Sequence, residues 1–283
     1  MTPTVYHPAS YIAHDVARTD TLTERVRSTW SAGDYGRIAR SYGRGGAEFI
    51  GRLGFSRAEP VLDVACGTGN LSLPAARIGA TVTGIDIAPN LIAQARQRAT
   101  GQGLTVKFDV GNAEQLPYET GAFQTVVSMF GAMFAARPDR AAAEMLRVTR
   151  RGGRIAMANW TPGGFMGQMA RTTAAYVTPM LGVPSPLLWG TEDAVAARLG
   201  PGVESLTFTR RLIALEYPIS PEEVVSQFRL WHGPTLHAFA RLGDTNRQAL
   251  RRELEQLWID HNRTRDGTTR VQSEYLEVFA IRR

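Results

Sequence analysis

The sequence predicts an α/β fold built on a mostly parallel sheet, and three observations carry that prediction. Between residues 60 and 160, short β-branched runs alternate with segments of helical periodicity, the pattern of βαβ units. The first of these runs leads through a glycine turn, Gly67-Thr68-Gly69, directly into a helical stretch. Two longer extended segments, at 204–217 and 270–282, then supply strands beyond the alternating region.

The elements follow in order. Residues 22–30 read as a short helix and 35–53 as a longer one, with Ile38, Tyr42, Phe49, Ile50 and Leu53 as its apolar points. Gly43, Gly45 and Gly46 each cost about 1 kcal/mol against alanine in a helix, so a bend is expected there. Residues 61–65 form a short apolar run bounded by glycine, a buried parallel strand. Helix 71–78, strand 81–86, helix 90–100, strands 105–110 and 125–129, helix 140–150 and strand 154–160 follow. Right-handed crossovers put the C-terminal ends of these strands on one rim, where ligands bind. After Trp160, residues 164–179 read as helix and the Pro- and Gly-rich 179–202 as loop or short helices. Residues 204–217 read as a long strand, and 221–231 and 248–261 as helices, with another near His237. The simplest partition is one domain: a helical cap (1–58), a core (59–160), a connecting region (161–217), a helical lid insertion (218–266) and a last strand (267–283).

Composition narrows the function classes. The chain has 283 residues, one cysteine, Cys66, and a net charge of +6. One cysteine excludes an intramolecular disulfide and a cysteine-based zinc site, and no metal is expected. The start lacks a basic stretch followed by an apolar run, and no apolar run approaches the ~20 residues of a membrane helix. A cytoplasmic protein that does not enter membranes is expected, as a monomer or homodimer. Positive charge alone would suggest nucleic acid. Its excess, however, is local: residues 137–171 hold seven arginines and two acidic groups, whereas 61–136 are net −1. Arg147, Arg150, Arg151 and Arg154 fall between a helix end and the next strand, at the N-terminal sheet edge. Solvated arginines there complement a helix C-terminus, and no nucleic-acid partner is expected.

Three segments carry chemistry. In Val61-Leu62-Asp63-Val64-Ala65-Cys66-Gly67-Thr68-Gly69-Asn70, a strand runs into a glycine turn and a helix. Glycines admit close backbone approach, and the helix start offers free N–H groups. A dinucleotide site, and so an NAD(P)-dependent oxidoreductase, fits this loop nearly as well. Against it, Ser72 stands where a third glycine would, and Asp63 suits an ammonium better than a phosphate. Asp86 ends the next strand, where a carboxylate can accept from two ribose hydroxyls; the alternative is a helix N-cap before Pro89. Asn112 and Ala113, after the third strand, offer an acceptor and an N–H donor for an adenine, or form only a polar turn.

Together these segments resemble the class I S-adenosylmethionine (SAM)-dependent methyltransferases, in particular the small-molecule branch that includes the ubiquinone/menaquinone C-methyltransferases. The resemblance covers residues 58–160 and the last strand. It departs in Ala65, where glycine is commoner, and in Asn112, where aspartate is frequent. It implies a Rossmann-like seven-stranded sheet of order 3-2-1-4-5-7-6 with an antiparallel last strand. It also implies SAM as cofactor and S-adenosylhomocysteine as product. Asp63, Ala65, Cys66, Gly67 and Gly69 would then face the methionine moiety, and Asp86 with Ile87 the ribose. Asn112, Ala113 and Glu114 would face the adenine. Ser128, Met129 and Phe130 would lie beneath the sulfonium, with Tyr35 closing over the cofactor.

For the acceptor, in-line methyl transfer needs alignment and water exclusion more than a base. His232 and His237 are the candidate general bases, with capping or surface roles as the alternative. Met133, Phe134 and Trp231 are candidates for the pocket of a small, partly apolar or aromatic acceptor, methylated at O, N or C. Adaptable thioethers suit such a pocket, and seven of the eight methionines, from Met129 to Met180, lie in this part of the chain. A SAM-binding protein with non-methylating activity is the second alternative.

Overall fold

The computed structural model describes residues 21–178 and 182–283. Pro179, Met180 and the first twenty residues lie outside that range, and the helix predicted over 164–179 ends at Ala174. A helix, α1, covers residues 21–31. The predicted bent helix is two: α2 (Tyr35–Ala39) and α3 (Gly43–Leu53), joined by a 3₁₀ turn over Arg40–Tyr42. The break precedes the glycines. Gly45 and Gly46 lie inside α3, where the helix approaches its neighbours: a Cβ at Gly46 would stand 2.9 Å from the Asn70 carbonyl oxygen.

The core alternates as expected: β1 (Pro60–Val64), α4 (Ser72–Arg77), β2 (Thr81–Asp86), α5 (Pro89–Gly101), β3 (Lys107–Val110), β4 (Phe123–Met129), α6 (Pro138–Val148) and β5 (Thr149–Trp160). β5 starts five residues before the predicted position, because Thr149 pairs with Phe123 ahead of a register shift that resumes at Thr125–Arg154. There follow α7 (Phe165–Ala174), α8 (Glu192–Leu199), β6 (Val203–Tyr217), α9 (Pro221–Trp231), α10 (Gly233–Ala240), α11 (Asp244–His261) and β7 (Thr269–Arg282). α9 opens with a capping box between Ser220 and Glu223, which stops the long β6 and starts the insertion cleanly.

The seven strands are ordered β3-β2-β1-β4-β5-β7-β6, with β7 antiparallel to both neighbours. This is the Rossmann-like methyltransferase sheet. The central strands are buried on both faces (Val61, Leu62, Val64, Val126, Val127), as a sheet covered by helices on both sides requires. Among the described residues, no helix is long and apolar enough to cross a membrane.

The arginine cluster corrects one expectation. Arg150 and Arg151 are exposed, but Arg154 turns inward. It bonds Glu59 at 2.8 Å, the Thr125 hydroxyl and the Leu53 carbonyl. Arg147 bonds Glu144 and donates to the Leu116 and Tyr118 carbonyls. Buried Glu59 and these open carbonyls need donors, and a charge left unpaired there would be costly. Half the cluster therefore ties the N-terminal sheet edge together instead of standing in water.

Candidate functional site: a rim cleft and a larger cavity beside it

The C-terminal ends of β1, β2, β3 and β4 open onto one cleft, roofed by α1 and α2. At its floor, the chain leaves β1 through Ala65 at φ +55° and β4 through Phe130 at φ +54°. Left-handed backbone costs a non-glycine residue roughly 1–2 kcal/mol, and it persists where packing over-determines it. Gly131 is the reason here: a Cβ on it would stand 2.5 Å from the Ala65 carbonyl oxygen, so the two turns interlock. The alanine in the glycine motif is thus accommodated under strain.

Gly67 (φ +54°) presents bare backbone, with no atom within 4 Å of where a Cβ would project. Its N–H donates to Asp86 Oδ2 at 2.8 Å, and Asp86 Oδ1 accepts from the Ala88 N–H at 2.9 Å. Asp86 therefore fixes the β1 turn against the end of β2. Its carboxylate keeps lone pairs for the cleft it lines, and burial raises its pKa. The alternative reading as an N-cap is not what the geometry shows, since the cap position of α5 is Ala88.

Asn112 and Glu114 build the far wall. Asn112 Oδ1 accepts from the Glu114 N–H at 3.0 Å, closing the turn, and its amide reaches Thr23 of α1 at 3.4 Å. Glu114 accepts from the Arg137 backbone N–H and guanidinium at 2.9 and 2.8 Å. The described walls of this cleft hold two carboxylates, Asp86 and Glu114, and no lysine or arginine. Glu114 is offset by Arg137, but Asp86 has no cationic partner, so a cationic ligand fits that lining better than a pyrophosphate.

The roof is aromatic. Trp30 packs edge-on against Tyr35 and Phe134, with ring centroids 5.2 and 4.8 Å apart, and the Tyr35 and Tyr42 hydroxyls meet in a short hydrogen bond. Burial pushes the Tyr35 pKa up to about 12, so the pair stays neutral. Beyond these rings lies a second space, about 3020 Å³ against about 840 Å³ for the cleft, solvent at both mouths included. Trp30, Tyr35, Tyr42 and Phe134 line both and form the partition between them.

His232 and His237 belong to the second space. His232 Nδ1 is 2.8 Å from the Thr235 hydroxyl, and its ring packs near Trp30, Tyr35 and Phe228. Burial lowers its pKa to about 4, so it is neutral at physiological pH. His237 Nε2 is buried without a hydrogen-bond partner.

The structure brings together most of the sequence-predicted residues. Tyr35, Ala65, Cys66, Gly67, Asp86, Ile87, Asn112, Ala113, Glu114, Met129, Phe130 and Phe134 line the cleft. Five others stand apart from its walls. Asp63 is buried behind the turn, accepts from the Ser72 hydroxyl at 2.6 Å and has its pKa raised by burial to about 7. Gly69 packs toward Leu73 and Phe108. Ser128 holds the Val64 carbonyl and the Ala132 N–H from below. Met133 is in the core. Trp231 lies under the Arg37 guanidinium, 4.6 Å from its ring centroid. Cys66 is a buried thiol whose pKa burial raises well above normal, a filler and no nucleophile.

Sequence reasoning missed Trp30 and Tyr42, although aromatic residues recurring through the cap at 30, 35 and 42 were a usable signal. It also missed Arg98 of α5, which donates to the Thr68 carbonyl at 2.6 Å and to Thr68 Oγ1 and Asn70 Oδ1 at 2.9 Å. Asn70 in turn donates to the Ala39 carbonyl of α2. Nothing in the sequence linked Arg98 to the glycine turn.

Comparison with known proteins agrees with this geometry. The family model described as "Methyltransferase domain" matches residues 62–157. An uncharacterized protein of Mycobacterium tuberculosis, Rv1405c, is 36% identical over 270 residues, covering 94% of this chain and 98% of that protein. Demethylmenaquinone methyltransferase of Thermus thermophilus is 38% identical over 126 residues, 43% of this chain and 57% of that enzyme. Among solved structures, the YcgJ protein of Bacillus subtilis superposes with a TM-score of 0.58 at 16% identity, covering 85% of this chain and 99% of that one. With the strand order, the glycine turn and these relatives in agreement, the chain belongs to the class I SAM-dependent methyltransferases, in a group it shares with the mycobacterial proteins.

Proposed function

We propose that this enzyme moves a methyl group from SAM, bound in the rim cleft, to an O, N or C atom of a small, partly apolar or aromatic molecule held in the adjoining cavity. The observation that carries the reading is the shared wall: two spaces of different lining meet at Trp30, Tyr35, Tyr42 and Phe134. Bound SAM would supply an electrophilic methyl on a sulfonium. The residues present suit it: Asp86 for the ribose hydroxyls, Asn112 through its remaining lone pair and Ala113 through its N–H for the adenine. The open space over Gly67 would take the methionine end, with Met129 and Phe130 below.

The chain's own part in the reaction is alignment and exclusion of water. Holding two reactants in line removes much of the entropic barrier. The partition rings keep solvent from the space between them, and Tyr35 and Tyr42, bonded to each other, keep the cover closed. His232 is neutral; in the tautomer whose Nδ1–H donates to the Thr235 hydroxyl, its Nε2 can accept a hydrogen bond from an acceptor hydroxyl or amine. With its basicity lowered it orients that group better than it deprotonates it. A cytoplasmic setting goes with a cofactor and an acceptor of this size. The test is incubation of the purified enzyme with a metabolite extract and isotopically labelled SAM. A mass-labelled product, absent with the Asp86→Ala variant, supports the reading; SAM binding by calorimetry with no labelled product from any extract overturns methyl transfer.

A further inference from the structure

The larger cavity is lined differently from the cleft in one decisive respect. Its described lining includes three arginines, Arg25, Arg137 and Arg241, and no aspartate or glutamate. Arg137 is taken up by Glu114. The guanidiniums of Arg25 on α1 and Arg241 at the end of α10 form no ion pair or hydrogen bond with any described residue. Both side chains are exposed, as are others such as Arg40, Arg57 and Arg151, but these two stand at a cavity whose described lining holds no carboxylate. Guanidinium is suited to carboxylate and phosphate.

Their position is set by the helices. α1 contributes Thr21, Leu22, Arg25, Ser28 and Thr29 to the wall, a helical face. Arg25 lies five residues before partition residue Trp30, or about 7–8 Å at the helical rise. α10 contributes His237 and Arg241, and Arg241 lies nine residues beyond His232, about 13 Å on the same measure. Along the helices, the Arg25 backbone is thus about 8 Å from Trp30, and that of Arg241 about 13 Å from His232, whose ring packs against Trp30 and Tyr35. The same wall holds apolar side chains, Met166, Met169, Val177 and Leu187, and a buried polar atom without a bonded partner, His237 Nε2.

From this arrangement we infer that the methyl acceptor is an elongated amphiphile. An acidic group, carboxylate or phosphate, is held by Arg25 and Arg241 about 10 Å from the atom that meets the partition, and its apolar body lies along the methionines. This deepens, and rests on, the proposed methyl transfer. The charge at the mouth would steer acidic molecules in, while the negative lining of the cleft repels them from the cofactor site.

The inference is tested with two fluorescent probes of nearly equal shape: anilinonaphthalene sulfonate, which is anionic, and phenylnaphthylamine, which is neutral. The wild-type chain should bind the sulfonate several-fold more tightly, and salt should narrow the gap. The double variant Arg25→Gln, Arg241→Gln should weaken the sulfonate about tenfold and leave the neutral probe unchanged, as expected for loss of charge pairing at a partly exposed site. Ala170→Trp, on an exposed position of α7 that faces the cavity, should weaken both probes. Equal affinities in the wild type, a double variant that changes neither probe, or probes indifferent to Ala170→Trp would each overturn the inference. SAM calorimetry on the same samples separates the two readings: loss of the probe contrast with SAM binding intact refutes only the acidic acceptor, and absence of SAM binding refutes the methyltransfer reading.

Discussion

The rim cleft takes its shape from backbone, with turns at Ala65, Gly67 and Phe130 in left-handed conformation and one carboxylate, Asp86, bonding two main-chain N–H groups. The larger cavity takes its shape mainly from side chains on α1, α7, α9 and α10, with Trp160 and Tyr217 at the ends of β5 and β6 in its wall. Their linings differ in sign, carboxylates in one and guanidiniums in the other. Each also buries a titratable group in the state that burial favours, Asp63 behind the cleft and His232 in the cavity wall.

The two buried groups give the sharpest contrast, because their effects on stability have opposite sign. Burial raises Asp63 from 3.8 to about 7. Between those values the unfolded chain has lost a proton that the folded chain keeps, so stability falls as pH rises. At 1.36 kcal/mol per unit the whole span is worth about 4 kcal/mol. Asp63→Asn should abolish this decline, and thermal midpoints measured from pH 4 to 8 will read it. A variant whose midpoint still falls with pH as in the wild type would remove Asp63 as the cause.

His232 runs the other way. Burial lowers it from 6.5 to about 4, so the unfolded chain holds the extra proton in that window and stability is lost as pH falls from 6.5 toward 4. The span is about 3 kcal/mol. His232→Asn, which can keep a bond to Thr235, should leave a protein that holds its stability better at pH 5. In the wild type, the His232 Cε1–H resonance should not titrate between pH 8 and 5.5. A resonance that moves with a midpoint near 6.5, and vanishes in the variant, would show the ring is open to water.

Next in size is the Asp86 effect. Asp86→Ala would remove the proposed bonds to ribose and also leaves the Gly67 and Ala88 N–H groups without their carboxylate, so SAM affinity should fall by ~2–4 kcal/mol in calorimetry. An unchanged affinity would separate the cleft from the cofactor. Smaller still is the junction between cap and insertion. A Cβ at Gly233 would stand 1.8 Å from the Thr29 carbonyl oxygen, so α1 and α10 must meet through a glycine. Gly233→Ala should cost roughly 1–3 kcal/mol of stability by forcing them apart and should weaken probe binding in the cavity more than SAM binding in the cleft. A larger loss for SAM would mean the cap serves the cleft first.

The two spaces also differ in how far the sequence discloses them. The cleft was readable because its parts are local: Asp63 to Asn70, Asp86 with Ile87, and Asn112 to Glu114 each follow a strand end, and parallel topology gathers strand ends on one rim. What misled was fine placement. Asp63, Gly69 and Ser128 have the right spacing but support the wall from behind, a difference of one layer that period-two alternation does not reveal. The cavity was scarcely readable, because its residues come from segments up to 220 positions apart, from Thr21 to Arg241, joined only by tertiary packing. Phe134 and the two histidines were found by residue type, while Met133 and Trp231, chosen on the same ground, were absorbed by the core and by Arg37.

Arg98 tests whether the cleft is as self-contained as its local motifs suggest. It lies on α5, away from the cleft lining, yet its guanidinium ties the Thr68 carbonyl and hydroxyl to Asn70, and Asn70 carries the link to α2 of the cap. If the glycine turn held its shape through backbone preference alone, Arg98→Met would leave SAM affinity untouched. Left-handed turns at non-glycine positions persist only under surrounding constraint, and the variant should therefore bind SAM about five- to tenfold more weakly, near 1 kcal/mol. Because Arg98 does not reach the cavity, the affinity for both fluorescent probes should be the same as in the wild type. A loss shared equally by SAM and the probes would show instead that the cap moves as one piece over both spaces, with the Asn70 link as the coupling between them.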